Sequence, residues 1–334
     1  MKILVIRFSS LGDIVLTTPV LTYLKNKHKN CEIHYVTKRN FSDILSENKK
    51  ISHIFQLSKQ SIIHLAKDIR KFNREPYDIV YDLHNSMRSR FLLFFIRYLK
   101  IIKYKKPYIK RWLLVYLKIN LIKRIIPVSY RYTGEINLQD IKLSAPEIIP
   151  EKIDRNKLDA FNEKLPTLAI APGAKWFTKR WPLEYFSQVL SKFCAENKKY
   201  QIIILGGPDE IEISNELISN YKENKNIFNF TGKFSVRETA WLLSKCKTFL
   251  TNDSGLMHVA SVFNIKIIAL FLCTVEEFGF APLTKNAVVL SEKLPCKPCD
   301  HKGLSKCPKK HFKCAHFMGV DKVYNAVLSG WRSP

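Results

Sequence analysis

Acidic side chains are scarce in this sequence: 29 Asp and Glu stand against 55 Lys and Arg, for a formal net charge of +26. The shortage is local, since residues 83–134 hold 13 Lys and Arg and no acid at all. Those cations alternate with apolar runs such as Phe91-Leu92-Leu93-Phe94-Phe95 and Trp112-Leu113-Leu114, which reads as amphipathic helices with a cationic face. Nucleic acid, anionic lipid headgroups or a phosphorylated glycolipid would satisfy such a face, and a merely solvated surface is the plainer alternative. No apolar run reaches the roughly 18 residues of a membrane span, because the longest, 91–102, is broken by Arg97 and Lys100. The apolar start at 2–6 meets Arg7 and Asp13 too soon for a secretory leader, so a cytosolic protein is expected. Zinc-finger, helix-turn-helix and RNA-binding signatures are missing too, which leaves charge as the sole argument for nucleic acid.

What is present is an alternation of short apolar strands and amphipathic helices. With 334 residues, 46% of them hydrophobic, the chain is large enough for two domains that each bury a core. Strands are expected at 2–6, 31–36, 54–57 and 77–83, then again at 167–171, 201–205, 227–230, 247–250 and 265–272, with helices between them. Pro19 should kink the first helix or mark its start, Pro182 opens a helix to residue 195, and Ser235 with Glu238 makes a capping box. Two doubly wound α/β halves facing a cleft are the expected architecture. Acidic residues and prolines return in 133–166, which places the boundary near 160 and gives domains 1–160 and 161–334. A final helix at 320–328 is free to pack back on the first domain.

Two stretches carry chemistry. Thr251-Asn252-Asp253-Ser254-Gly255-Leu256-Met257-His258 links a strand to a helix whose first turn suits an anion: Asp253 and Ser254 are favoured caps, and Gly255 admits close approach of a ligand to backbone N–H groups. His258 returns to the same face. An ordinary capped helix with a core histidine has the same sequence signature. Near the start, Asp13 sits where a carboxylate at the sheet's carboxyl edge can take a proton from a hydroxyl, or can simply cap its helix.

Taken together, Phe8-Ser9-Ser10-Leu11-Gly12-Asp13, Asp82-Leu83-His84 with Arg88-Ser89, Ala171-Pro172-Gly173-Ala174 with Lys179-Arg180-Trp181-Pro182, and the motif at 252–258 resemble glycosyltransferase family 9, the heptosyltransferases of the lipopolysaccharide inner core. The resemblance runs nearly end to end. It implies a GT-B fold of two Rossmann-like domains, the first binding acceptor and the second the donor nucleotide. It further implies inverting, metal-independent transfer from ADP-heptose to a lipid A-core acceptor, with no required cofactor, at the inner face of the cytoplasmic membrane. Asp13 matches the catalytic base. Lys179, Asp253, Ser254, Gly255 and His258 would bind the donor, and Ser10, Gly12, His84 and Arg88 the acceptor. An acidic donor contact maps to Asp209 or Glu210, between which spacing does not choose, and Trp181 reads as a packing anchor. The form of the Met257 motif leans toward the enzymes that add a second heptose. A relative using another nucleotide sugar is the alternative, and a non-catalytic basic module bound to nucleic acid or membrane a distant one. The cationic stretch, with Lys103, Lys105 and Lys106, would meet the membrane surface.

Four of the eight cysteines, Cys296, Cys299, Cys307 and Cys314, fall within 19 residues. Their spacing suits a tetrahedral structural zinc site or a disulfide cluster, without a catalytic part.

Overall fold

The computed structural model describes residues 1–57, 61–135, 137, 141–197 and 199–332. Two compact units emerge: Met1–Pro107 with Ile126–Ile149, and Tyr108–Ile125 with Pro150–Pro334. The division therefore falls earlier than the expected residue 160, and Tyr108–Ile125 leaves its sequence neighbours to join the second unit. Residues 136 and 138–140 of the expected boundary stretch lie outside the described residues.

The first unit is a five-stranded parallel sheet of β1 (Lys2–Ile6), β2 (Glu32–Lys38), β3 (His53–Leu57), β4 (Tyr77–Asp82) and β5 (Tyr98–Lys103), ordered β3-β2-β1-β4-β5. Leu4, Ile6, Val36 and Val80 are fully buried in its core, as the unbroken apolar runs of a sheet covered on both faces require. After β1 the chain makes two helices, Leu11–Val15 and Thr18–Lys27, and Pro19 at the second position of the latter fixes its start without a kink. The Ile62–Phe72 helix is capped by the Ser61 hydroxyl, which accepts from the His64 N–H.

β5 overturns part of the helical reading of 83–134. Helices form there over Met87–Phe94, Tyr108–Trp112 and, as a π-helical turn, Leu113–Leu117, but Tyr98-Leu-Lys-Ile-Ile-Lys pairs with β4 as an edge strand. Its isoleucines favour the pleated edge, and its lysines at an edge strand cost nothing in solvation and discourage further pairing.

The second unit is a six-stranded parallel sheet: β6 (Thr167–Ala171), β7 (Gln201–Ile204), β8 (Ile227–Asn229), β9 (Thr248–Asn252), β10 (Lys266–Phe271) and β11 (Ala287–Ser291), ordered β11-β10-β9-β6-β7-β8. Phe186, Val189, Leu190 and Phe193 form the buried stripe of the Leu183–Glu196 helix at i, i+3, i+4 and i+7. Each such side chain contributes about 1.5–3 kcal/mol on burial. The final helix, Val320–Trp331, lies in this unit against the Leu183–Glu196 helix, β9 and β10, and buries Val323, Tyr324, Val327 and Leu328. Among the described residues no helix is long and apolar enough to cross a membrane.

Candidate active site

Strand order locates the site in each unit. In the first, β1 lies between β2 and β4, so the chain leaves β1 and β4 in opposite directions and opens a crevice at their carboxyl ends. In the second unit β6 and β9 form the same switch point. The motifs singled out above leave the sheets at these two edges.

At the first edge, Arg7 is the residue immediately after β1, and its guanidinium joins the stretches that follow β1 and β4. Nη2 lies 2.7 Å from Asp13 Oδ1, Nη1 donates to the Leu83 carbonyl at 2.6 Å, and Nε donates to the Ser9 carbonyl at 2.8 Å. Its charge also lies 5.4 Å over the Tyr132 ring. Asp13 accepts further hydrogen bonds at Oδ2 from the Ser10 N–H (3.1 Å) and Ser10 hydroxyl (2.8 Å), and at Oδ1 from the Tyr132 hydroxyl (3.1 Å). Capping the helix and standing at the sheet's carboxyl edge are thus one arrangement and not alternatives. Burial works to raise the Asp13 pKa, but the Arg7 charge and the Ser10 hydrogen bonds outweigh it and hold the carboxyl at about 2.

Asp82, buried at the end of β4, shapes the neighbouring loop by accepting the N–H groups of His84 and Asn85 and the Ser89 hydroxyl. His84 packs edge-on against Phe8, with ring centroids 5.0 Å apart. Burial, with the charges of Arg7 and Lys106, drops its pKa to about 4, so the imidazole is neutral at pH 7. Its Nδ1 is buried without a partner among the described residues. Gly12 is buried, Ser10 and Arg88 are exposed, and Arg88 stands in the first turn of the Met87–Phe94 helix beyond β4. Lys106, grouped above with Lys103 and Lys105 as a membrane contact, donates to the His84 and Asn85 carbonyls and so holds this loop.

At the second edge, Lys179 Nζ lies 2.7 Å from Asp253 Oδ2, which also accepts the Thr274 hydroxyl at 2.7 Å. Asn252 fastens the two loops together: its Oδ1 accepts the Trp181 N–H (3.0 Å) and its Nδ2 donates to the Pro172 carbonyl (2.7 Å). Trp181, buried, donates its indole N–H to the Met318 carbonyl, which makes it a packing anchor of this loop. Ser254 occupies the N-cap position of the Gly255–Ala260 helix without a side-chain capping bond, and its hydroxyl meets that of Thr251 at 3.2 Å. His258 is only 5% exposed, so no more than a ring edge can reach a ligand. Of the two acidic candidates after β7, Asp209 is exposed, whereas Glu210 turns inward and accepts the Gly207 N–H at 2.8 Å. Its carboxylate lies so close to Gly173 that a Cβ there would stand 2.2 Å from Oε1. Burial raises the Glu210 pKa despite the Gly207 hydrogen bond and the Arg180 charge.

The profile of glycosyltransferase family 9 (heptosyltransferase) matches residues 65–310. The chain belongs to glycosyltransferase family 9. Among relatives of this family 9 chain, lipooligosaccharide heptosyltransferase 2 of Campylobacter jejuni is 29% identical over 98% of each chain. Lipopolysaccharide heptosyltransferase 2 of Escherichia coli is 24% identical, covering 87% of this chain and 88% of the other. The solved structure of E. coli ADP-heptose lps heptosyltransferase II superposes with a TM-score of 0.75 at 19% identity, over 99% of this chain and 98% of that one. The fold is GT-B, built from two Rossmann-like units.

Within this glycosyltransferase, Arg7, Tyr132 and Thr274 touch the predicted residues Asp13 and Asp253 and are residues that motif reasoning did not single out. Arg7 alone carried a signal, as the first polar residue after a central strand. The cysteine segment does not meet its expectation. All eight cysteines are free thiols, and among the described residues no three His, Cys, Asp or Glu side chains converge as metal ligands. The residues as arranged do not fit zinc.

Proposed function

We propose that this glycosyltransferase moves heptose from ADP-heptose to the inner core of lipopolysaccharide or lipooligosaccharide, with inversion at the anomeric carbon and without an essential metal. The observation that carries the reading is the Asp13 carboxylate, fixed at the switch crevice by Arg7 and Ser10 and held ionised. The acceptor hydroxyl attacks the anomeric carbon from the face opposite the diphosphate, the bond to the leaving oxygen breaks, and the hydroxyl proton passes to Asp13. A carboxyl of such low pKa is a weak base toward a free hydroxyl. It becomes an adequate one as the new C–O bond forms and the proton turns strongly acidic.

Asp13 has about four lone-pair positions, and Arg7, Tyr132 and the two Ser10 donors fill them. Ser10 is exposed, so its hydroxyl is the donor an acceptor hydroxyl would displace. In the second unit, Lys179 and the N–H groups at Ser254 and Gly255 would neutralise the departing diphosphate. Asp253 carries the wrong charge to touch phosphate, and its part is to hold Lys179. Glu210 would accept hydroxyl hydrogen bonds from the donor. The lean toward second-heptose transfer has support from the C. jejuni and E. coli relatives, both named heptosyltransferase 2 and both matched along most of their length.

Thermal shift at fixed ligand concentration, comparing ADP-heptose with ADP, UDP-glucose and GDP-mannose, tests the donor. Selective stabilisation by ADP-heptose is expected. Selectivity for another sugar nucleotide would keep fold and chemistry but replace the sugar, and no shift with any would contradict the reading.

A further inference from the structure

Tyr108–Ile125 separates sharply into an inner and an outer side. On the inner side Leu114 and Val115 are buried with Phe278, and Ile122, Val275 and Phe280 pack around them. Arg111 donates to the Phe278 carbonyl at 3.1 Å and lies over the Phe278 and Phe280 rings. Lys118 donates to three carbonyls, those of Val115, Cys296 and Pro298, at 2.6, 3.0 and 2.7 Å. These contacts fasten the segment to the rest of the second unit and occupy two of its cations, Arg111 and Lys118.

The outer side is apolar and exposed. Ile109 is 76% exposed, Tyr116 66% and Trp112 53%, with Leu117 and Ile119 continuing the surface. The Trp112 and Tyr116 rings lie side by side, 5.7 Å apart. Lys110, Lys123 and Arg124 are exposed around them, and the segment contains no Asp or Glu. Leaving this many large apolar groups in water is unfavourable unless a partner covers them.

We propose that this outer face docks on an anionic phospholipid bilayer, lying in the headgroup region without crossing it. The charge and the aromatics select that occupant. Trp and Tyr have an apolar ring and a polar edge that match the interface between headgroups and acyl chains. Exposed cations beside them gain from a negative leaflet. The helical part, Tyr108–Trp112 with Leu113–Leu117, is far too short to span. A nucleic acid would engage the cations and leave Ile109 and Leu117 in water, and a second copy would set like charges against one another. The inference is independent of the donor and of Asp13.

Flotation of the intact protein with vesicles rich in phosphatidylglycerol, against vesicles of phosphatidylcholine alone, tests it at physiological salt. Binding selective for the anionic vesicles is expected. The triple variant Ile109→Ser, Trp112→Ser, Tyr116→Ser should bind at least ~10-fold more weakly, and Lys123→Glu with Arg124→Glu should lose ~5-fold or more per cation, less at high salt. All of these side chains are exposed, so the variants should melt like the parent. Failure of the intact protein to float, undiminished binding by the triple variant, or a solution dimer that the triple variant abolishes would each overturn the proposal.

Discussion

The two switch-point sites use the same device with opposite partners offered. Arg7 and Asp13 in the first unit, and Lys179 and Asp253 in the second, are acid–base pairs with the same 2.7 Å separation at the carboxyl edge of a parallel sheet. In the first pair the carboxylate is the more open member, 16% exposed against 9% for Arg7. In the second it is the cation, with Lys179 at 15% against 8% for Asp253. The enclosed member fixes its partner, and in the proposed mechanism the open member would face the reaction. An aspartate at a sheet edge therefore has no fixed role. In the proposed mechanism Asp13 would be the base, fixed and kept ionised by the arginine behind it, and Asp253 would be a support for the lysine in front of it.

Breaking the open member of the first pair should have the largest effect. Asp13→Asn is expected to lower turnover ~100- to 10,000-fold, measured as ADP release with saturating donor. Removing the enclosed member acts on the fold as well: Arg7→Gln strands a buried carboxylate and should cost ~3–5 kcal/mol in urea unfolding. In that variant the Asp13 pKa rises from about 2, and the surviving turnover gains an acid limb that the parent lacks. Lys179→Met, which removes one charge-assisted contact, should weaken ADP binding ~10- to 100-fold.

The pH dependence sharpens the contrast. His84 in the first unit has its pKa depressed from 6.5 to about 4, so its imidazole stays neutral in the folded chain while the unfolded chain takes up a proton. Stability should then fall as pH drops from 6.5 toward 4, and Asp13, depressed from 3.8 to about 2, adds a second loss below that window. Unfolding midpoints at pH 7 and pH 5 should differ less in His84→Gln than in the parent. The smallest effect is expected for Ser10→Ala, less than ~10-fold in turnover, since its hydroxyl only holds the place of the acceptor.

Much of the fold was legible because buried parallel strands read as unbroken apolar runs: 2–6, 167–171 and 265–272 correspond to β1, β6 and β10. The edge strands were harder. β5 spaces Lys100 and Lys103 three residues apart among cationic neighbours and so resembles an amphipathic helix, and β11 is a half-buried five-residue run. At the site, Asp13, Lys179 and Asp253 stand on turns whose capping residues and glycines mark them locally. Tyr132 reaches Asp13 from 119 positions away, and Thr274 reaches Asp253 from 21, and no local pattern announces either contact. Glu210 was separable from Asp209 only once its side chain was seen against Gly173. Likewise the face that leaves Trp112 exposed could not be told from the one that buries Leu114 until the segment had a surface to lie on.

The division of labour between the two pairs is tested most directly by calorimetric titration of ADP into Asp13→Asn and Lys179→Met side by side. The account predicts that Asp13→Asn, though nearly silent in turnover, binds ADP within about twofold of the parent, and that Lys179→Met binds it at least ~10-fold more weakly. Loss of ADP binding in Asp13→Asn with retention in Lys179→Met would contradict it.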